Sequence, residues 1–304
     1  MFTAKNKGRL AIGAVVVGAA LALSGCASGD PLDTGSNAPG DSTTITVGSQ
    51  AYYSNEIIAE IYSQALEDAG FTVERQFNIG QRDAYLPSLE NGDVDLFPEY
   101  TGNLLQFYDA KTTATTPDDV YAALAGALPD SLTVLDQASA TDQDSYNVTA
   151  KFAADNNLKS LADLANVTTP LTLGGNAELE ERPYGPAGLL ATYGATVGFS
   201  ATGDTTVQDL IAGTVNIANV YSADPRIQTE KLVTLDDPEG LFLASNVVPL
   251  VNADIADSIA DVINAVQAKL TPEALVAMNV ESTVDQQSSA DIATKWLKDN
   301  DLLS

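Results

Sequence analysis

The spacing of apolar and polar positions changes repeatedly along this chain, and each change predicts an element. Residues 44–48 form a β-branched run that closes on glycine, the pattern of a strand. From Ser54 the apolar positions Ile57, Ile58, Ile61, Tyr62, Ala65 and Leu66 follow helical spacing as far as Gly70. Residues 71–77 predict the next strand, 83–91 a short helix burdened by Pro87, and 94–97 a further strand. Thr116-Pro117-Asp118-Asp119 is a helix start, with a capping hydroxyl, a proline in the first turn and acids at the positive end of the dipole. After a strand-like run at 132–135, the segment 146–150 reads as a strand crossing into a second lobe, where the alternation restarts. Helices are predicted there at 160–166, 185–193 and 205–212, and strands at 171–173, 196–199, 215–220 and 232–235. A return strand at 247–251 and helical segments at 254–270, 272–278 and 288–300 would complete the first lobe. Such alternation predicts an α/β protein.

One short pattern occurs twice. Leu89-Glu90-Asn91-Gly92-Asp93-Val94-Asp95-Leu96 and Leu210-Ile211-Ala212-Gly213-Thr214-Val215-Asn216-Ile217 each read as a helix end, a glycine suited to a left-handed cap, and a short apolar strand. Each then delivers a tyrosine, Tyr100 and Tyr221, at the strand's carboxyl end. That edge is where open α/β sheets bind ligands. Tyr62, Tyr121 and Tyr193 lie at helical spacing among aliphatic residues and are expected in the core, as is Trp296 beside Ile292 and Leu297. Tyr52, Tyr53 and Tyr184 are left open by their spacing.

The first residues need a different account. Lys5, Lys7 and Arg9 precede an apolar run at 10–23 that is too short to span a bilayer as an ordinary helix, so residues 1–25 are expected to be an export signal. The run ends in Leu23-Ser24-Gly25-Cys26, which resembles a bacterial lipoprotein processing site, and Cys26 is the single cysteine of the chain. Lipidation of Cys26 would hold the protein on the outer face of the cell membrane. Residues 26–42 are rich in Gly, Ser, Asp and Pro and predict a flexible tether with a reach of roughly 20 to 25 Å.

Charge and composition narrow the chemistry. With 14 Lys and Arg against 41 Asp and Glu the formal net charge is −27, so clustered cations for nucleic acid are not available. The absence of histidine removes Ser-His-Asp and Cys-His nucleophile arrangements and every histidine-ligated metal site. No Gly-rich phosphate loop is present, and no cofactor or metal is expected.

Pro98-Glu99-Tyr100-Thr101-Gly102 follows a Gly-x-Val-Asp-Leu strand, and with it go Val47-Gly48-Ser49-Gln50, Arg182-Pro183-Tyr184-Gly185, Tyr221-Ser222-Ala223-Asp224 and Asp236-Asp237-Pro238-Glu239-Gly240-Leu241-Phe242. In these motifs the chain resembles the substrate-binding proteins of ABC importers for quaternary-amine osmoprotectants such as glycine betaine, choline and carnitine. The resemblance implies a type II periplasmic-binding-protein fold, two α/β lobes joined by a hinge, with a ligand cleft between them. It implies lobe 1 at 43–145 and 246–304 and lobe 2 at 146–245, and a monomer that hands its solute to a permease subunit outside the cytoplasm. It further implies a ring of tyrosines around the ligand, matched here by Tyr100, Tyr146 and Tyr221. The family's fourth tyrosine falls at Ser245, and Tyr184 is a candidate for the missing ring. For the carboxylate of a betaine the family pattern suggests Gln50, Arg182 and a threonine position occupied here by Asn103. If Arg182 contacts the ligand, betaines should outrank choline.

Rings suit such a ligand because a trimethylammonium group has no N–H to donate and is large, weakly hydrated and cationic, so the negative π face is its best partner. Two other functions stay open at this level. One is capture of a different small cationic or polar solute, motivated by Ser245 and Asn103. The other is a secreted carboxylate-based hydrolase, against which the lack of a nucleophile motif counts. An enzyme is not expected.

Overall fold

A computed structural model describes residues 44–303. The expected signal, Cys26 and tether lie outside the described residues.

Among the described residues ten strands form two five-stranded sheets. In chain order they are β1 (Thr44–Gly48), β2 (Thr72–Gln76), β3 (Leu96–Tyr100), β4 (Leu132–Val134), β5 (Asp144–Thr149), β6 (Leu171–Gly175), β7 (Val197–Ala201), β8 (Ile217–Tyr221), β9 (Leu232–Thr234) and β10 (Val247–Asn252). The first sheet has the order β2-β1-β3-β10-β4 and the second β7-β6-β8-β5-β9. In each, three strands pair in parallel and the other two join by antiparallel pairing, so that only β10 and β5 run against their neighbours. The two sheets are therefore topological counterparts, with β3 matching β8 and β10 matching β5.

Eleven α-helices of the described residues connect and cover the strands: α1 (Tyr53–Asp68), α2 (Arg82–Glu90), α3 (Thr101–Tyr108), α4 (Pro117–Ala127), α5 (Ala150–Asn156), α6 (Pro186–Tyr193), α7 (Thr206–Ala212), α8 (Arg226–Thr229), α9 (Ala256–Gln267), α10 (Pro272–Thr283) and α11 (Ser289–Asp299). The centre of the first sheet, β3 and β10, is buried on both faces. Leu96 and Val247 pack with Ile57, Ile61 and Trp296 on one side, while Phe97 and Val248 pack with Tyr85, Leu104 and Leu124 on the other. A strand covered on both faces loses the polar alternation of a half-exposed one, which is why Leu96-Phe97-Pro98 and 247–251 read as continuous apolar runs.

The capping signal at Thr116 operates as the sequence implies, its hydroxyl accepting from the Asp119 N–H with Pro117 in the first turn. Pro87 does not break α2. The predicted helix at 160–166 is instead a 3-10 turn, Leu161–Asn166, entered through a capping box between Ser160 and Asp163. Helices α3 and α5 begin directly after β3 and β5 with no intervening loop, so no polar break in the sequence announced them.

The chain passes between the sheets twice, after β4 and before β10, and the two passages pair through an antiparallel bridge of Thr141 with Asn246. The second sheet takes up the chain at Asp144, opposite Tyr221, two residues before the expected start of lobe 2 at 146. Gly102 lets α3 lie against the second passage: a Cβ there would stand 2.6 Å from the Ala244 carbonyl oxygen.

Candidate ligand site

Both copies of the repeated pattern fold alike. Gly92 and Gly213 adopt φ of 76°, in the left-handed region that closes the preceding helix, and Tyr100 and Tyr221 are the last residues of β3 and β8. Their carboxyl ends face a cavity of about 570 Å³ lined by residues of both sheets.

Tyr52, at the end of the loop between β1 and α1, and Tyr53, the first residue of α1, join them. That loop is pinned by Asn55, whose side chain accepts from the Gln50 N–H and donates to the Pro98 carbonyl at 2.9 and 2.7 Å. The Tyr52 ring lies 4.8 Å from that of Tyr53 and 5.0 Å from that of Tyr221, centroid to centroid, so rings from the two lobes meet. Tyr184 completes the lining from the second lobe. Burial raises the hydroxyls of Tyr52, Tyr100, Tyr184 and Tyr221 above the ordinary phenol value, so all four are neutral rings at physiological pH.

Of the residues expected at the site, Tyr100, Tyr221, Tyr184, Gln50, Arg182 and Asn103 line this cavity; Tyr146 and Ser245 do not. Tyr146 is fully buried, packs edge-on against Phe242 with centroids 5.0 Å apart, and donates its hydroxyl to the Tyr184 carbonyl. It lies two residues beyond Asp144 on β5, about 7 Å further into the sheet, where Tyr184 and Phe242 cover it. Tyr146 thus holds the segment that carries Tyr184. Ser245 is also buried; it donates to Asn103 Oδ1 at 2.6 Å and accepts from the Asn103 N–H at 3.3 Å. This orientation directs the Asn103 amide nitrogen to Asp144 Oδ2 at 2.5 Å and to the Tyr184 hydroxyl at 3.1 Å. The two amide hydrogens are then engaged across the lobes, so Asn103 acts as a clamp and not as the free donor expected for a ligand carboxylate.

Arg182 reaches across the mouth of the cleft to within 3.9 Å of the Asp83 carboxylate on the opposite lobe. The structure adds charged residues that the sequence did not single out. Arg82, at the start of α2, lines the cavity and forks onto the fully buried Glu99 at 2.7 and 2.8 Å. Glu99 also accepts from the Tyr100 N–H at 2.8 Å and from the Tyr85 hydroxyl, and Gln50 donates to Tyr85 at 3.3 Å. A buried ion pair therefore underlies the Tyr100 wall.

Three buried acids face the same space: Asp224, paired with Arg226, and Asp142 and Asp144. Asp144 accepts from Asn103 and, through its other oxygen, from Asn219 at 2.7 Å. Asp142, in the first passage, accepts from the Tyr52 hydroxyl and the Ala223 N–H, each at 2.9 Å. Burial pushes the Asp142 carboxyl up to about 7, and nearby Asp224 and Asp144 add to the rise. The only sequence signal for Asp142 and Asp144 was their position just ahead of a strand that begins the second lobe.

The described residues contain no cluster of acids, histidines or cysteines fit to hold a metal ion. None of their helices is long and apolar enough to cross a membrane.

Comparison with known proteins places this geometry. The family model for OpuAC, the substrate binding domain of ABC-type glycine betaine transport systems, matches residues 43–299. The glycine betaine-binding protein YehZ of Escherichia coli (strain K12) is 26% identical over 273 residues, covering 84% of this chain and 90% of that protein. The structure of apo YehZ from Escherichia coli aligns with a TM-score of 0.62 and 25% identity over 86% of this chain and 99% of that one. A crystal structure of a glycine betaine/carnitine/choline ABC transporter protein aligns with a TM-score of 0.70 and 19% identity, covering 86% of this chain and all of that one. These likenesses identify the two-sheet architecture as the type II periplasmic-binding-protein fold. With nearly the whole described body matched, the chain belongs to the OpuAC family, the solute-binding components of ABC transporters of the glycine betaine type.

Proposed function

We propose that this protein captures a quaternary-amine solute of the glycine betaine, carnitine and choline class between its lobes and delivers it to the permease of an ABC importer. It performs no reaction on that solute. The observation that carries this reading is the convergence of Tyr52, Tyr53 and Tyr100 from one lobe with Tyr184 and Tyr221 from the other on one cavity. Each desolvated ring in contact with a trimethylammonium group contributes about 1 to 2 kcal/mol. A micromolar ligand needs about 8 kcal/mol; three or four rings supply about 3 to 8 of it and polar contacts supply the rest. Because the rings come from both lobes, a bound cation favours the closed arrangement over an open one, and closure is the signal a permease reads.

Calorimetric titration with glycine betaine, carnitine and choline tests this reading, and no heat from any of the three would end it. Tyr221→Ala should weaken the bound solute by about tenfold, the loss of one ring. An unchanged dissociation constant would remove Tyr221 from the site.

The proposed location is the outer face of the cell membrane, through a lipid on Cys26. Cys26→Ser should move the protein from the membrane fraction to the soluble one without altering affinity, and retention on membranes would count against the anchor.

A further inference from the structure

The charges in the cleft do not balance locally. Its three arginines each have a carboxylate partner: Arg82 on Glu99, Arg226 on Asp224 and Arg182 near Asp83. Asp142 and Asp144, only 3% and 4% exposed, have no cation within ion-pair distance among the described residues. Their hydrogen-bond donors are two side-chain amides, one phenol and one backbone N–H, all neutral. Such donors hold a carboxylate in place without cancelling its charge.

The fold does not demand an acid at position 144. Asp144 stands opposite Tyr221 on β5 as Val247 stands opposite Tyr100 on the matching strand β10, and Val247 is fully buried and apolar. Residues directly opposite on antiparallel strands present their side chains on the same face, so the Asp144 carboxylate is the immediate neighbour of the Tyr221 ring. Each of its oxygens is engaged by a single amide and keeps a lone pair. The buried Asn219 Oδ1 beside it has no partner among the described residues. The cleft therefore offers acceptors and negative charge next to a ring, where an anionic end of a ligand would be repelled.

We infer that Asp144 makes the cleft selective for a quaternary ammonium alcohol of net positive charge over a zwitterionic betaine, with the ammonium against the tyrosines and the alcohol hydroxyl donating to Asp144. This specificity rests on the quaternary-amine reading above and narrows it. An alcohol hydroxyl donates to a carboxylate in a short charge-assisted bond, whereas a betaine carboxylate brings like charge to the same place and has no proton to give. Arg182 does not reverse the preference, because its guanidinium is directed to Asp83 at the rim.

The test is titration of the purified protein and its Asp144→Asn variant with choline and with glycine betaine, comparing the ratio of the two dissociation constants within each protein. That ratio does not depend on the fraction of molecules that are folded. The native protein should bind choline at least about tenfold more tightly than glycine betaine, and Asp144→Asn should bring the ratio to about one or invert it. Asp142→Asn, which removes charge but not the group facing the hydroxyl, should weaken both ligands and leave the preference for choline. Equal or tighter binding of glycine betaine by the native protein, or an unchanged ratio in Asp144→Asn, overturns the inference while leaving the quaternary-amine function standing. Failure of both ligands and of carnitine overturns the two together.

Discussion

Replacing Glu99 with alanine is expected to cost about 3 to 5 kcal/mol of folding stability and to weaken ligand binding as well. Glu99 is fully buried, and its two oxygens accept from Nε and Nη2 of Arg82, from the Tyr85 hydroxyl and from the Tyr100 N–H. Alanine would leave a guanidinium in the interior with no counter-charge, together with a buried hydroxyl and a backbone N–H that lose their acceptor. The site feels this directly, because Arg82 lines the cavity and Glu99 fixes the backbone from which the Tyr100 ring projects. Urea unfolding measures the stability loss and calorimetric titration the affinity. Glu99→Gln keeps the shape and one acceptor, so it should fall between the native protein and Glu99→Ala. The double variant Arg82→Met, Glu99→Leu removes both charges and should recover most of the stability without recovering the affinity. A Glu99→Ala protein that unfolds at the native urea concentration would show that this pair does not hold the wall.

Affinity for a cationic solute should fall by roughly tenfold or more between about pH 8 and about pH 5.5, with Asp142 as the group responsible. Its carboxyl is raised from the ordinary 3.8 to about 7, chiefly by burial. The groups facing it are the Tyr52 hydroxyl and the Ala223 N–H, with Asp224, Asp144, Tyr53, Tyr100 and Tyr221 around them; Arg226 is engaged by Asp224. A bound cation favours the ionised carboxylate, so below about pH 7 binding must displace a proton, and the dissociation constant rises by up to about tenfold per pH unit. Calorimetry in two buffers of different ionisation enthalpy should register the release of most of a proton near pH 6. Asp142→Asn should flatten both dependences. A native protein that binds choline equally well across this range would exclude Asp142 from the cation site.

The same group gives the unliganded protein an opposite trend. A carboxyl whose folded value is raised contributes stability that is fully present below its unfolded value near 3.8 and is lost as pH rises through about 7. The amount is on the order of 4 kcal/mol. Asp142→Asn should therefore raise the stability of the empty protein near pH 8 while weakening its ligand. In the proposed function, stability is given up at a position that serves binding.

Much of this fold could be read from residue order. The twin segments beginning at Leu89 and Leu210 correctly foretold two glycine caps and two strands that end in Tyr100 and Tyr221, because a left-handed cap, a short apolar strand and a terminal ring are all local features. The capped start at Thr116 and the helical spacing of Ile57, Ile61 and Tyr62 were legible for the same reason. Helices α3 and α5 were not, since each starts without a loop, and the sequence before Thr101 and Ala150 carries no break in pattern.

Which side chains face the cleft was decided by the tertiary structure. Tyr146 and Asp144 share one strand and one period, yet seven ångströms or so of depth along that strand, and the cover of Tyr184 and Phe242, put Tyr146 in the core and leave Asp144 at the cavity. Tyr52 reaches the site only because Asn55 pins its loop and Tyr221 arrives from the other lobe. Asn103 becomes a clamp through Ser245, 142 positions away. That Arg82, Arg182 and Arg226 are matched while Asp142 and Asp144 are not depends on distances between segments that are remote in sequence. Periodicity and capping are set within a few residues of chain, so the sequence determined the elements. Electrostatic balance and burial are set by what packs from elsewhere, so only the assembled lobes determined the chemistry of the site.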